Sequence, residues 1–238
     1  MKNTIFSLVF LCFVNACLAQ KATANDVLLR AFEIYEKATH YKMNMTYNIY
    51  ADDQSASPKE VTKAVYYKEG ASNFYMKMDE TEKIFIKDVF IVISHSEKAM
   101  MVSRNNNNPS EILGTFFKQS LKEYSKTDIK DYKTFWRCTL YPAKGSPSAV
   151  YKYVTIDIAK NSYNIIKQKY FFNVPLEQVY GVNNSDKKEV LEIIVNNFDK
   201  NTFVPKGLFN SVSYYKPEGK NYVATGKQKG YEIISDSK

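Results

Sequence analysis

The sequence predicts a mainly β fold of the α+β class, in which one long, curved antiparallel sheet is partly covered by helices. Three observations support this prediction. Apolar and polar residues alternate with a period of two over many short segments, 19 Tyr and 15 Phe stand against only 8 Gly, and just two segments have the spacing of an amphipathic helix. Two helices cannot enclose so many strands, so we expect the sheet to curve around a core or a cavity.

The beginning of the sequence has the three parts of an export signal. Lys2 is positively charged, residues 5–14 are almost continuously apolar, and residues 17–19 place small side chains at the recognition positions. We therefore expect residues 1–19 to be removed and residues 20–238 to form a single periplasmic domain. The alternative is cleavage before Cys17, lipidation of that cysteine and tethering in the cell envelope.

An amphipathic helix is predicted directly after this signal. The polar run Thr23–Asp26 is typical of a helix N-terminus. Apolar residues then recur at helical spacing as far as Ala38, so one face of the helix must be covered. The residues of this face that we expect to form part of a lid over the sheet are Leu28, Phe32 and Tyr35.

At Lys42 the period of the apolar residues changes to two, which indicates a half-buried strand. Turn residues then separate a series of similar segments. The further predicted strands cover residues 60–68, 72–79, 82–87, 89–94, 99–103, 132–141, 149–158, 163–173 and 188–198, and a terminal segment ends in Gly230–Ile234.

A second amphipathic helix is predicted in the middle of the chain. An asparagine run and Pro109 form a loop, after which Ser110 can cap the helix. The apolar stripe of this helix would complete the lid. Its lid residues are Ile112, Phe116 and Phe117.

The sequence offers no pattern for catalysis, metal binding or cofactor binding. His40 and His95 are far apart, and Cys138 would be the lone cysteine after export, so a zinc site is not expected. The spacings of nucleophile elbows, phosphate-binding loops and dinucleotide-binding loops are absent. We therefore predict a protein that is not an enzyme and has no cofactor, with Cys138 as a small buried side chain.

The basic net charge of +8 favours anionic surroundings, including membrane surfaces. The lysines are spread along the chain rather than clustered, so nucleic acid is not expected as a partner.

The predicted strands carry a methionine-rich and aromatic side that has two interpretations. Flexible thioethers and rings suit an ordinary core, but they also suit a pocket for acyl chains, which need apolar area and no hydrogen bonds. A phase error of one residue would put Tyr75 and Lys77 in place of Phe74 and Met76. The expected lining consists of Met43, Met45, Tyr47, Ile49, Phe74, Met76, Met78, Trp136 and Cys138.

Three stretches of the chain carry a family pattern. They are Asn25–Tyr41 running into the alternating strand after it, Val154–Ile158 followed by Ile165–Phe172, and Leu191–Ile193 followed by Asn197–Asp199. With the order of the elements, they resemble the LolA-like family of periplasmic outer-membrane lipoprotein carriers. The resemblance implies an incomplete β-barrel with a helical lid and a hydrophobic cavity for acyl chains.

Two features depart from that family pattern. Residues 205–238 have no counterpart, and no arginine occurs between Lys42 and Met101. The predicted function is a monomeric carrier or binding protein for lipids, acyl chains or lipoproteins in the cell envelope. The alternative is an envelope structural or interaction protein with the same fold, a filled core and no ligand.

Overall fold

The computed structural model describes residues 22–104, 121–174, 188–219 and 221–235. In these ranges the chain forms one α-helix and fourteen strands, with short 3-10 turns between some of them. The helix is α1 (Ala24–Lys37), and the strands are β1 (His40–Tyr50), β2 (Glu60–Glu69), β3 (Asn73–Met78), β4 (Thr81–Ile86), β5 (Val89–Ser94), β6 (Ala99–Arg104), β7 (Tyr124–Asp131), β8 (Phe135–Pro142), β9 (Tyr151–Ala159), β10 (Ile165–Phe172), β11 (Val190–Asp199), β12 (Tyr215–Glu218), β13 (Asn221–Ala224) and β14 (Glu232–Ser235).

Twelve of the described strands form one sheet, in the order β14-β6-β5-β4-β3-β2-β1-β11-β10-β9-β8-β7. Every neighbouring pair is antiparallel except β14 and β6, which are parallel. The sheet consists of two meanders, β1–β6 and β7–β11, joined where β1 pairs with β11. The predicted mainly β architecture is confirmed, and the sheet is not closed within the described ranges, where β7 and β14 are its edges.

The sequence analysis missed one strand and one hairpin, and the second predicted helix cannot be compared with the structure. Strand β7 was not predicted because its sequence, YSKTDIKD, is polar at nearly every position, as suits an edge strand that carries lysines. The hairpin of β12 and β13 was also missed, since each strand has only four residues. The helix after Ser110, with Ile112, Phe116 and Phe117, lies outside the described residues.

Helix α1 begins and ends as its sequence predicts. The Thr23 hydroxyl accepts a hydrogen bond from the backbone N–H of Asp26, at 3.2 Å. At the other end, the Lys68 ammonium group donates to the carbonyl oxygens of Tyr35 and Ala38, at 3.0 and 2.9 Å. The positive charge also interacts favourably with the negative end of the helix dipole. Lys68, a residue of β2, therefore stabilises the C-terminal end of α1.

We call the side of the sheet that α1 covers the helix face and the opposite side the outer face. The apolar stripe of α1 is almost completely inaccessible, with Leu28 and Phe32 0% and 1% exposed. It packs on apolar residues from both meanders. The buried helix-face residues of the sheet are Tyr41, Met43, Met45, Ala64, Tyr66, Cys138, Leu140, Val154, Ile156, Ile158 and Ile165.

The C-terminal segment, residues 205–235, covers the outer face of the first meander. There Ile84, Ile91 and Met100 are 0% exposed and share an apolar cluster with Tyr214. His95 joins this segment to the sheet, because its Nδ1 lies 3.0 Å from the Tyr231 hydroxyl and its Nε2 lies 2.8 Å from Glu82 Oε1. The described residues of this C-terminal segment are therefore integral to the fold.

The outer face of the second meander is instead polar, and Glu192 is its best-connected group. Its Oε1 accepts hydrogen bonds from Asn48 and Tyr50 at 3.1 and 3.0 Å, and its Oε2 lies 3.1 Å from the ammonium groups of both Lys167 and Lys169. Burial alone would raise the pKa of Glu192, but the donors from Asn48 and the two lysines lower it to about 2. The ionised carboxylate therefore ties β1, β10 and β11 together.

We expect Lys68→Met to lower the free energy of unfolding by about 1–2 kcal/mol, because the last carbonyls of α1 lose a charged donor. Urea unfolding followed by circular dichroism measures the change. The matched control is Lys63→Met, an exposed lysine of the same strand. Equal stability of the two variants would contradict the role of Lys68 at the helix end.

Glu192 should make stability depend on pH in the acid range. Its pKa in the folded protein is below the ordinary carboxyl value, so its contribution is complete above about pH 4.5 and is lost as pH falls through about 2. We expect the difference in free energy of unfolding between wild type and Glu192→Gln to shrink by about 2–3 kcal/mol from pH 6 to pH 2. Glu60→Gln, at an exposed carboxylate of β2, is the control and should show no such trend.

Candidate functional site

Eight of the nine residues expected to line a cavity lie in or against the apolar cluster under α1. Met43, Met45 and Cys138 are buried within it. The partly exposed residues packed against it are Tyr47, Phe74, Met76, Met78 and Trp136. The ninth, Ile49, is outside the cluster, but its register with Leu191 and Glu60 places it on the helix face, two residues beyond Tyr47.

The strand phase that the sequence left open is settled for β3. Tyr75 packs in the outer-face cluster with Ile84 and Ile91, whereas Phe74 and Met76 pack toward α1. Phe74 continues the helix face into the next strands, because its ring stacks on Phe85 with centroids 5.8 Å apart.

The three lid residues of α1 fill the face beneath them rather than leaving space. Leu28, Phe32 and Tyr35 are all buried. The Tyr35 hydroxyl accepts a hydrogen bond from the backbone N–H of Ile165 at 3.0 Å, and its ring lies 4.8 Å from the Phe198 ring. Helix α1 is therefore a fixed cover over one part of the helix face.

Beside this filled part, the helix face has a partly accessible patch that we call the open patch. Its residues come from β1, β10 and β11 and form two cross-strand rows. In one row Ile193 lies opposite both Tyr47 and Gln168, and in the other Leu191 lies opposite both Ile49 and Tyr170. All six are partly exposed, unlike the neighbouring residues under α1. The open patch consists of Tyr47, Ile49, Gln168, Tyr170, Leu191 and Ile193.

The two tyrosines of the open patch lie in surroundings that are poor in water. Burial raises the pKa of the Tyr47 hydroxyl, and it likewise raises that of Tyr170, where nearby tyrosines add to the effect. Both side chains nevertheless keep accessible surface. The two hydroxyls are therefore largely removed from water although the side chains remain partly exposed.

One polar group projects among these apolar residues. The Gln168 Oε1 accepts a hydrogen bond from the Tyr170 hydroxyl at 2.6 Å. Among the described residues, none accepts a hydrogen bond from the Gln168 amide nitrogen, and this nitrogen is not one of the buried atoms that lack a partner. Gln168 can therefore donate to a ligand group that enters the open patch.

Sequence reasoning missed four of the six open-patch residues: Gln168, Tyr170, Leu191 and Ile193. The alternation of both strands was recognised, but not that β11 lies between β1 and β10. That neighbourhood follows from a pairing between distant parts of the chain. The sequence signal that included them was the family pattern, because its stretches Ile165–Phe172 and Leu191–Ile193 contain all four residues.

The described residues contain no group of three or more His, Cys, Asp and Glu side chains that could hold a metal ion. His95 is engaged by Glu82 and Tyr231 on the outer face. Cys138 is 0% exposed, and burial, assisted by the charge of Asp157, raises the pKa of its thiol to about 12. This thiol is therefore protonated and packed, as a structural cysteine is.

In the ranges that the structure describes, α1 is too short and too polar to cross a membrane.

Cys138 should resist alkylation in the native protein. At pH 8 we expect iodoacetamide to modify Cys138 at least tenfold more slowly than in urea, because the thiolate is scarce and the sulfur is inaccessible. Peptide mass analysis distinguishes Cys138 from the cysteines of residues 1–19. Equal rates in native and unfolded protein would show that the α1 cover opens readily.

No protein-family model matches this chain, and no curated protein sequence matches it. Solved structures do resemble it. An uncharacterised conserved protein from Thermus thermophilus has 10% identity and a TM-score of 0.47, over 87% of this chain and 96% of that one. A DUF1329 family protein from Desulfovibrio piger has 10% identity and a TM-score of 0.41, over 79% and 95%.

A LolA superfamily protein from Nitrosomonas europaea has 12% identity and a TM-score of 0.35, over 80% of this chain and 99% of that one. The solved structures similar to this chain therefore include a member of the superfamily whose order of elements the sequence resembles.

Proposed function

We propose that this protein is a non-catalytic carrier that binds the acyl chain of a lipid or lipoprotein in the open patch of the helix face. One observation carries the proposal: three adjacent strands bring six partly accessible, mostly apolar side chains together beside the core that α1 covers. An acyl chain requires apolar surface that remains accessible, and burial raises the pKa of the Tyr47 and Tyr170 hydroxyls in keeping with this. An enclosed core would leave these side chains without accessible surface.

The side chains of the open patch fit an acyl chain better than a polar ligand. Ile49, Leu191 and Ile193 offer branched apolar surface with no hydrogen-bonding groups. Each buried CH2 group contributes about 0.8 kcal/mol, so affinity should rise with chain length. Gln168 supplies one donor for a carbonyl or ester oxygen near the end of the chain. The ligand class is therefore an amphiphile with at least one long chain.

Location in the cell envelope is part of the same proposal. A monomeric carrier is useful where lipids must cross water between two membranes, and the net charge of +8 favours anionic head groups and membrane surfaces. Cleavage after Ala19 would give a soluble carrier, whereas lipidation of Cys17 would tether it. Mass analysis of the mature N-terminus distinguishes the two forms.

Filling the open patch should abolish binding. We expect Ile193→Trp to weaken the binding of a fluorescent fatty acid at least tenfold, because the larger ring occupies the space of several CH2 groups. The matched control is Ile234→Trp, at a side chain that is 59% exposed on the edge strand β14, and it should bind as the wild type does. Native mass spectrometry of protein purified from its own host should also detect a bound amphiphile.

The stability of two tryptophan variants distinguishes the carrier from the alternative, a protein with a filled core and no ligand. Met45 is only 8% exposed, so Met45→Trp should lower the free energy of unfolding by about 1–3 kcal/mol through overpacking. Ile193→Trp should cost less than about 1 kcal/mol if the open patch has room. Equal destabilisation by both variants, together with no uptake of fatty acid by the wild type, would favour the envelope structural protein.

A further inference from the structure

The outer face of the second meander carries a row of charged side chains across four adjacent strands. Lys130 of β7 lies opposite Arg137 of β8, Arg137 lies opposite Asp157 of β9, and Asp157 lies opposite Lys167 of β10. Lys169, two residues further along β10, points to the same face. We call Lys130, Arg137, Lys167 and Lys169 the cation row.

Two buried carboxylates hold three of these cations in place. Asp157 accepts two hydrogen bonds from Arg137, from Nε at 2.7 Å and from a terminal guanidinium nitrogen at 2.8 Å. The ammonium groups of Lys167 and Lys169 both lie 3.1 Å from the same oxygen of Glu192. The carboxylates are 4% exposed, whereas the side chains of Arg137, Lys167 and Lys169 are 33–37% exposed. The anions are thus enclosed and the cations remain accessible.

The cation row has more positive charge than the carboxylates neutralise. Two lysines share one carboxylate oxygen, and no described acidic side chain forms an ion pair with Lys130. Like charges directly opposite each other on neighbouring strands, as Lys130 and Arg137 are, destabilise a sheet. A bound anion would relieve this repulsion and use the N–H groups that the carboxylates leave unpaired.

The outer face also carries a row of aromatic rings, which lie on β8, β9 and β10 four residues away from Arg137, Asp157 and Lys167. The ring of Tyr153 lies 6.2 Å from that of Tyr141 and stacks on Phe171 at 4.1 Å, and all three are partly exposed. Thr139 and Thr155 lie opposite each other between the two rows. The rows are separated by about 13 Å, at about 3.3 Å per residue. The outer face therefore presents cations, hydroxyls and rings in succession, with Asp128 at the β7 end of the threonine row, where it pairs with Lys126 at 2.8 Å.

We propose that this outer face binds an acidic saccharide. The carboxylate groups of the sugar would lie on the cation row, its hydroxyls would reach the two threonines, and the apolar side of a further ring would stack on the aromatic row. A membrane surface suits this face less well, because only one of the highly exposed large apolar side chains, Ile166 at the bulge of β10, lies on β7–β10. The site is on the opposite side of the sheet from the open patch, so it is independent of the proposed carrier function.

The proposal is tested with polygalacturonate as the acidic polysaccharide and dextran as the neutral one. We expect calorimetry to detect polygalacturonate binding that weakens at about 0.5 M salt, and no dextran binding. The double variant Lys130→Gln with Lys167→Gln should bind about tenfold more weakly. Lys83→Gln with Lys216→Gln removes the same charge from exposed lysines outside the second meander and should change affinity less than about twofold.

A second variant tests the aromatic row without altering charge. Tyr153→Leu keeps apolar volume but removes the flat ring, so we expect weaker polygalacturonate binding with an unchanged circular dichroism spectrum. Three results would each overturn the proposal. These are equal losses in the two lysine double variants, equal affinity for dextran, and binding to phosphatidylglycerol vesicles but not to polygalacturonate.

Discussion

The pairing of β1 with β11 is the contact on which the rest of the structure depends. It joins a meander near the start of the described chain to one that ends about 150 residues later, with a register from Lys42–Asp199 to Tyr50–Val190. Without it, neither meander could extend the helix face on which α1 packs. The same seam brings Tyr47 of β1 beside Ile193 of β11, and on the other face it brings Asn48 to Glu192.

Local pattern predicted the elements and long-range pairing determined the site. The alternation of Met43 and Met45 predicted both the first strand and its buried side, and the stripe of Leu28 and Phe32 predicted the covering helix. Gln168 could not be recognised in the same way, because its importance comes from its neighbours on β9 and β11. Strand β7 has no regular alternation of apolar residues. It lies at the edge of the sheet and most of its side chains are exposed, so few apolar residues are required there.

The two meanders meet solvent in different ways on their outer faces. The first presents isoleucines such as Ile84 and Ile91, which require a cover, and the C-terminal segment supplies it. The second carries ion pairs instead, such as Arg137 with Asp157, in which the carboxylate is enclosed and the cation stays accessible. One continuous sheet thus has apolar clusters on both faces of its first meander, and on only the helix face of its second.

The parallel strand β14 has a consequence for when the fold can form. It pairs with β6, more than 120 residues earlier, and its segment covers the outer face of the first meander. Until residues near Ile233 are available, the isoleucines of that face have no partner and the sheet has an open edge. We expect a chain whose last described strand completes its first meander to fold slowly, because this pairing closes a long loop. Until then the isoleucines of the first meander remain exposed, and exposed apolar strands favour aggregation.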